Sequence, residues 1–160
     1  MMTEDSEGFL YPKVNESLCV DCGLCDRVCP MRVDPLPVHP ITVLAAYNDN
    51  QNVRKQSSSG GIFTLLAEKT IAEGGVVFGA RFNKDWQVEI AYTESLEGID
   101  AFRGSKYVQA TVGKAYTDAK SFLKQGRKVL FSGTHCQISG LNHFLQESYD
   151  NLITVDVVCH

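Results

Sequence analysis

The chain has 160 residues, of which 44% are hydrophobic and 21% are charged, a composition typical of a globular protein with a real core. Its formal net charge of −4 argues against nucleic acid or an anionic membrane surface as the main partner. No apolar run approaches the roughly 18 residues of a membrane span. The acidic start lacks the pattern of a secretory signal, and crowded cysteines in a chain of this size favour a reducing compartment. We therefore expect a cytoplasmic protein.

The first distinctive feature is a run of four cysteines, Cys19, Cys22, Cys25 and Cys29, followed directly by Pro30. This Cys-x2-Cys-x2-Cys-x3-Cys-Pro spacing is that of bacterial ferredoxins, in which each iron of a 4Fe-4S cluster takes a thiolate. A structural zinc ion usually takes two Cys-x2-Cys pairs that are separated by a longer loop. The spacing therefore predicts a 4Fe-4S cluster, with zinc or disulfides as less favoured alternatives.

The same run poses a ligand problem. In two-cluster ferredoxins the fourth cysteine of each run binds the cluster of the other run. Cys19, Cys22 and Cys25 would then hold three irons, whereas Cys29 would reach towards a cluster whose own three ligands the chain lacks. The sequence therefore predicts half of a two-cluster module.

Other residues of the run have expected roles. Gly23 is expected either to adopt a positive φ or to let backbone N–H groups approach the inorganic sulfides. Val20, Leu24 and Val28 are placed to shield the cluster from water, which affects its potential.

A proline-rich stretch marks a boundary, because four of the five prolines lie within residues 30–40 and favour an extended connector. We divide the chain into a ferredoxin-type 4Fe-4S module at 1–32, a linker at 33–40 and a mixed α/β domain at 41–160. His39 is expected to be an exposed linker residue rather than a ligand.

Hydrophobic periodicity predicts the elements of the α/β domain in chain order. Residues 41–47 (ITVLAAY) are expected to be a buried strand, followed by a polar turn. A helix capped by the serines of SSSGG should run from Ile62 to Gly74–Gly75. The later elements are a hairpin from VVFGARF and QVEIAYT around NKDW, a short helix at LEGIDAF, a strand at RGSKYVQA, and an amphipathic helix that Gly126 ends.

The last segment reads as strand, helix and strand over the 32 residues from Lys128 to Cys159, the size of a βαβ crossover. Its two strands, KVLFSG and LITVDVVC, should be parallel. The predicted fold class is therefore α+β or α/β: a small ferredoxin-like module followed by a mixed α/β domain that ends in a parallel βαβ unit.

Three places in the α/β domain are candidate sites, and each has a simpler interpretation. SSSGG before a helix could seat a phosphate, although on spacing alone an ordinary capped helix is favoured. Lys106, with Arg103 nearby, could meet an anionic cofactor while Tyr107 stacks on a ring, or the segment is a solvated turn. Cys136 and Cys159 each end a predicted strand at the edge where α/β ligands bind.

The two cysteines at that edge are open to two interpretations of equal weight. They are cluster ligands or a redox-active pair, with Cys136 near a helix N-terminus that favours a thiolate. Alternatively, they are buried cysteines that act as small hydrophobic residues. The neighbouring His135 and His160 carry no assignment, and no side chain has the setting of a general acid or base, so we predict no catalytic residue.

Six segments in order resemble the family of coenzyme F420 hydrogenase/dehydrogenase beta subunits. They are EGFLYPKVN, RKQSSSGGIFTLLA, GGVVFGARF, FRGSKYVQA, VLFSGTHCQISGL and VDVVCH. Members of this family are iron–sulfur flavoproteins that pass electrons between clusters and FAD, and many exchange a hydride with a deazaflavin coenzyme. The resemblance implies an FAD site to which Ser58, Gly60, Gly61, Lys106 and Tyr107 contribute.

The chain departs from the family pattern in three ways. The family's first cysteine run, normally before EGFLYP, is missing; His135 replaces the usual proline before the CQ cysteine; and the family continues beyond VCH. The resemblance therefore implies a truncated member.

These observations predict an oxidoreductase that moves electrons between a 4Fe-4S cluster and FAD. Its expected partners are a redox partner protein, within a complex or outside one, and a deazaflavin or another small hydride carrier. Two other classes remain open: a non-catalytic electron-transfer or assembly subunit that carries only the cluster, and a structural zinc module.

Overall fold

The computed structural model describes residues 2–29 and 39–158 of the chain. Residues 2–29, called the N-terminal module below, contain strands β1 (Met2–Glu4) and β2 (Leu10–Pro12), which pair antiparallel, and the short helix α1 (Leu24–Arg27). Asp5 closes the turn between the strands, because its Oδ1 accepts hydrogen bonds from the backbone N–H groups of Glu7 and Phe9 at 2.9 Å. No residue of this module is buried.

The α/β domain is built on a four-stranded sheet in the order β4-β3-β5-β6. The β3–β4 pair is antiparallel, and β3–β5 and β5–β6 are parallel. The elements, in chain order, are α2 (Gln51–Lys55), α3 (Ile62–Ala72), β3 (Val76–Phe82), β4 (Val88–Thr93), a 3-10 helix (Glu97–Phe102), α4 (Ala115–Lys124), β5 (Val129–Thr134), α5 (His135–Leu145) and β6 (Leu152–Val157). The predicted α/β class, the hairpin and the parallel β5-α5-β6 unit are confirmed.

Helices pack on both faces of this sheet. Successive side chains of a strand point to opposite faces, so each central strand contributes to two apolar layers. Phe78 and Phe131 pack against α4 and α5 on one face, with their rings stacked 5.2 Å apart. Val77 and Leu130 lie on the other face, against Ala67 of α3 and the 3-10 helix. The core therefore consists of two apolar layers that meet at the two central strands.

Two predicted strands are wrong. Residues 41–47 form no strand and are exposed, and Ile41 and Leu44 are 102% and 82% exposed. Their β propensity is not realised because a strand needs a neighbour to pair with, and neither edge strand of the sheet pairs with this segment. Residues 103–110 (RGSKYVQA) also form no strand; the Lys106 ammonium instead donates to the carbonyl oxygens of Ala101 and Arg103 and folds the segment back.

The predicted serine cap of α3 is also wrong. The helix begins after Gly61, whose φ is +74°, and no side chain caps it. The predicted end is confirmed, since the helix ends at Ala72 and Gly74, which follows the C-cap residue Glu73, adopts a φ of +75°. Part of the expected polar turn is helix α2, which Asn50 caps by accepting from the N–H groups of Asn52 and Val53.

Some predictions concern residues outside the described part of the chain, namely Pro30, most of the linker, Cys159 and His160. His39 is described and is exposed, as expected. The domain boundaries stay predictions. Within residues 2–29 and 39–158, no helix combines the length and the apolar character that crossing a membrane requires.

Candidate functional site

The four cysteines of the run lie around α1, and all four are free thiols. Cys19 follows a turn in which its N–H donates to the carbonyl oxygen of Glu16 at 3.4 Å. Cys25 is the second residue of α1. Cys19, Cys22 and Cys25 are exposed and Cys29 is partly buried. Three of the four thiols are therefore accessible to a metal.

Two residues with left-handed backbone flank Cys22. Gly23 has a φ of +64°, which confirms the predicted positive φ, and Asp21 has a φ of +50°. Such angles are rare outside Gly, Asn and Asp, and they occur where the chain must bend within a few residues. Asp21 was not among the predicted residues, although Asp is one of the few residue types that tolerate this conformation.

The thiols fit an iron–sulfur cluster by their chemistry and number, since such clusters take Cys thiolates. Among residues 2–29 and 39–158, however, no three His, Cys, Asp or Glu side chains lie in an arrangement that could hold a metal ion. The structure therefore does not gather the run, or the run with Cys136, into one ligand set. Val20 and Leu24 are 83% and 44% exposed, so their role in shielding a cluster stays a prediction.

The structure brings together the two motifs that the resemblance assigns to a cofactor. Ser58 Oγ accepts a hydrogen bond from the backbone N–H of Ser105 at 2.8 Å and another from its hydroxyl at 2.9 Å. These residues are 47 positions apart in the chain. The SSSGG segment and the GSKY segment are therefore parts of one site, which we call the two-loop site (residues 56–61 and 103–107).

Arg103 ties the two loops to their supporting helices. Its side chain is 13% exposed and forms an ion pair with Asp100 at 2.7 Å. It also donates to Gln56 Oε1 at 2.8 Å and to the hydroxyl of buried Thr64 in α3 at 3.2 Å. Arg103 is thus occupied by groups of its own chain instead of presenting its charge to a ligand.

The other predicted residues of this site differ in exposure. The Lys106 ammonium donates to the carbonyl oxygens of Ala101 at 3.1 Å and Arg103 at 2.8 Å, and burial lowers the pKa of this lysine. Tyr107 is 93% exposed, so its ring is free to meet a planar ligand. Of the pair, only Tyr107 presents its functional group outwards.

The two glycines fix the entry to α3. A Cβ on Gly60 would lie 2.7 Å from the carbonyl oxygen of Ala46, so only glycine fits there. Buried Asn48 fixes the backbone at the start of the helix. Its backbone N–H donates to Gly60 O at 2.7 Å, and its side-chain amide donates to Gly61 O at 3.4 Å. Asn48 was missed, although the NDN sequence is typical of turns.

The uncapped start of α3 is suited to an anion. The first N–H groups of a helix have no partner within the helix, and the helix dipole favours negative charge there. No side chain supplies the missing acceptor at α3. The helix entry therefore fits a phosphate group, such as that of a dinucleotide cofactor.

Cys136 lies in the first turn of α5, at the carboxyl end of β5, as predicted. It is exposed, so the interpretation as a buried hydrophobic residue is wrong for this cysteine. Its sulfur lies 3.1 Å from the Thr134 hydroxyl, and the neighbouring His135 Nδ1 is 2.7 Å from Asp156 Oδ2 on β6. Unlike α3, α5 is closed by a capping box between Thr134 and Gln137.

Comparison with known proteins gives matches in both parts of the chain. Residues 12–33 match the family described as 4Fe-4S binding domain. Residues 43–116 match the family described as coenzyme F420 hydrogenase/dehydrogenase, beta subunit (N-term).

A curated relative, a subunit of the F(420)H(2) dehydrogenase of Methanosarcina mazei, is 25% identical over 122 residues, which are 75% of this chain and 34% of the relative. The chain thus spans about a third of the length of that relative. A chain of the F420-reducing [NiFe] hydrogenase complex from Methanosarcina barkeri is similar over 57% of this chain and 32% of its own, with 24% identity and a TM-score of 0.47. The chain is therefore similar to coenzyme F420 hydrogenase/dehydrogenase beta subunits over residues 43–116 and to 4Fe-4S binding domains over residues 12–33.

Proposed function

We propose that this protein is an iron–sulfur flavoprotein that moves electrons between a 4Fe-4S cluster on the N-terminal module and FAD in the two-loop site. The observation that carries the proposal is the pair of hydrogen bonds between Ser58 and Ser105, because it joins two motifs far apart in the chain at one helix entry. A 4Fe-4S cluster exchanges single electrons, and a flavin exchanges them singly or as a hydride.

In the module, Cys19, Cys22 and Cys25 would supply three thiolates. The fourth comes from Cys29 or from a more distant cysteine, of which Cys136 and Cys159 are the two candidates. Cys136 suits this role by its exposure. The short reach of the Cys-x2-Cys-x2-Cys run supports the first three ligands.

In the two-loop site, the chain would bind FAD mainly through its backbone. The free N–H groups at the start of α3, after Gly61, would donate to a phosphate. Gly60 would let the loop lie close to residue 46, and Tyr107 would stack on a ring. Lys106 would contribute by fixing the turn, since its ammonium is held by two carbonyl oxygens. No side chain is assigned a proton-transfer step.

The name of a curated relative suggests a partner and a second substrate for this reaction. The relative in Methanosarcina mazei is by its name part of a dehydrogenase that acts on reduced coenzyme F420. We propose that this chain likewise works with a protein partner and that a deazaflavin or a similar hydride carrier is the second substrate. The chain spans about a third of the length of that relative. Oxidoreductase activity of this chain alone is therefore also part of the proposal.

Titration of the anaerobically purified protein with FAD, followed by quenching of flavin fluorescence, tests the two-loop site. Ser58→Ala removes the acceptor for Ser105, so we expect Kd for FAD to rise about tenfold, the equivalent of one good hydrogen bond. Ser59→Ala is the matched control, because this neighbouring serine does not bridge the loops, and its Kd should stay within about twofold. Absence of FAD binding to a cluster-loaded sample, or equal effects of the two variants, would contradict the proposal.

Iron analysis of four cysteine variants tests the ligand assignment. Cys22→Ala should lose the cluster. If the fourth ligand lies outside the run, Cys29→Ala keeps the iron of the parent protein while Cys136→Ala or Cys159→Ala loses it. Loss of iron in Cys29→Ala alone assigns the fourth thiolate to the run itself and contradicts a distant ligand.

A further inference from the structure

The net charge of the protein is concentrated in the N-terminal module. Residues 2–29 contain six carboxylates and two cations, which gives −4, the formal net charge of the whole chain. The remaining residues therefore balance their charges. The carboxylates are all exposed, and they are Glu4, Asp5, Glu7, Glu16, Asp21 and Asp26.

Exposed apolar side chains alternate with these charges around the thiols. Leu18 and Val20, on either side of Cys19, are 76% and 83% exposed, and Leu24, beside Cys25, is 44% exposed. Glu16 and Asp21 lie within three positions of a cysteine of the run. Apolar residues inside a charged rim are the usual anatomy of a protein–protein contact surface.

We propose that the cysteine loop (residues 16–27) is the docking surface for a redox partner protein with a basic rim and an apolar centre. This inference rests on the proposed function, which places a cluster in the same loop. The charge distribution selects the partner's sign: the loop carries three carboxylates and one cation, within a module at −4 beside a neutral remainder, so it attracts a basic face and repels an acidic one. Leu18 and Val20 supply the apolar contact once the charges have aligned the two proteins.

The electrostatic attraction also determines how binding of the partner depends on salt concentration. Exposed charges interact over about 30 Å at 0.01 M ionic strength and about 3 Å at 1 M. Binding should therefore be strong at low salt and weak at high salt, while the contribution of Leu18 and Val20 persists.

Calorimetric titration of the oxidised protein with oxidised cytochrome c, a small basic haem protein, tests the surface without any electron transfer. The variant Glu16→Gln/Asp21→Asn/Asp26→Asn removes the three carboxylates of the loop and should raise Kd at low salt roughly tenfold and reduce the salt dependence. The matched control Glu68→Gln/Asp85→Asn/Asp150→Asn removes three exposed carboxylates from the α/β domain and should change Kd by less than about twofold. Val20→Ser should weaken binding at both salt concentrations more than Ile41→Ser, a fully exposed apolar site outside the module.

Equal weakening by the two triple variants would mean that net charge acts without a defined surface, and it would overturn the inference. A Kd that does not change with salt concentration would also overturn the inference. Iron analysis of the same samples separates the two proposals: an iron-free sample with the expected charge pattern contradicts the cluster and leaves the docking surface intact. A cluster-loaded sample without the pattern contradicts the docking surface alone.

Discussion

In the α/β domain the large apolar side chains Phe78, Phe131 and Leu141 are fully buried, whereas Leu18 and Val20 of the N-terminal module are mostly exposed. The domain is held by a hydrophobic core on both faces of its sheet. The module has no buried residue and two strands of three residues each. A unit this small needs another source of stability, and bound metal is a common one, since the energy of ligation then becomes energy of folding. The two regions should therefore unfold for different reasons.

The largest effect should follow from Cys22→Ser, which removes a thiolate from the centre of the run. We expect loss of essentially all cluster iron and fast amide hydrogen exchange throughout residues 2–29. The α/β domain should keep its thermal unfolding transition, with its free energy of unfolding changed by less than about 0.5 kcal/mol. Iron analysis measures the cluster, and hydrogen-exchange mass spectrometry measures the stability of both regions. A destabilised α/β domain would show that the two regions do not unfold independently.

The reverse experiment is Phe131→Ala in the centre of the sheet. Phe131 is fully buried and stacks on Phe78, so its truncation should lower the free energy of unfolding of the α/β domain by roughly 3–5 kcal/mol. Chemical denaturation measures this. Leu18→Ala is the control in the module and should change that transition by less than about 0.5 kcal/mol. Similar costs for the two variants would contradict the contrast between the regions.

Arg103→Met tests the support of the two-loop site. It keeps the apolar stem but removes the ion pair with Asp100 and the bonds to Gln56 and Thr64. The expected loss is about 1–3 kcal/mol of unfolding free energy, because the buried Thr64 hydroxyl loses its partner. Lys55→Met, an exposed cation on α2, should cost nothing measurable in the same denaturation experiment.

The smallest effect concerns Tyr116 of α4, whose hydroxyl donates to Gln137 O at 2.8 Å. Burial, and then the nearby Cys136, raise the pKa of Tyr116 from 10.0 to about 12. A raised folded pKa means that its stabilisation is complete below pH 10 and is lost between pH 10 and about 12. Tyr116→Phe should cost about 1 kcal/mol at neutral pH. The difference in stability between parent and variant should shrink over that alkaline range; a constant difference would contradict the shift.

Local patterns predicted much of this molecule. The 3.6-residue periodicity found α3, α4 and α5, which each bury one face, and short apolar runs found β3 and β5, which are buried on both faces of the sheet. The segment 41–47 was predicted wrongly since apolar composition cannot reveal whether a neighbouring strand exists. The cysteine run was evident from spacing alone. The contact of Ser58 with Ser105, and the role of Arg103, depend on how distant loops meet, and no local signal encodes that.

The most direct test is the composition and spectrum of the protein prepared without oxygen. If the N-terminal thiols hold a 4Fe-4S cluster, the sample contains about four irons and four sulfides per chain and has broad visible absorption that bleaches on reduction. A colourless sample that contains zinc as its sole metal would contradict the account.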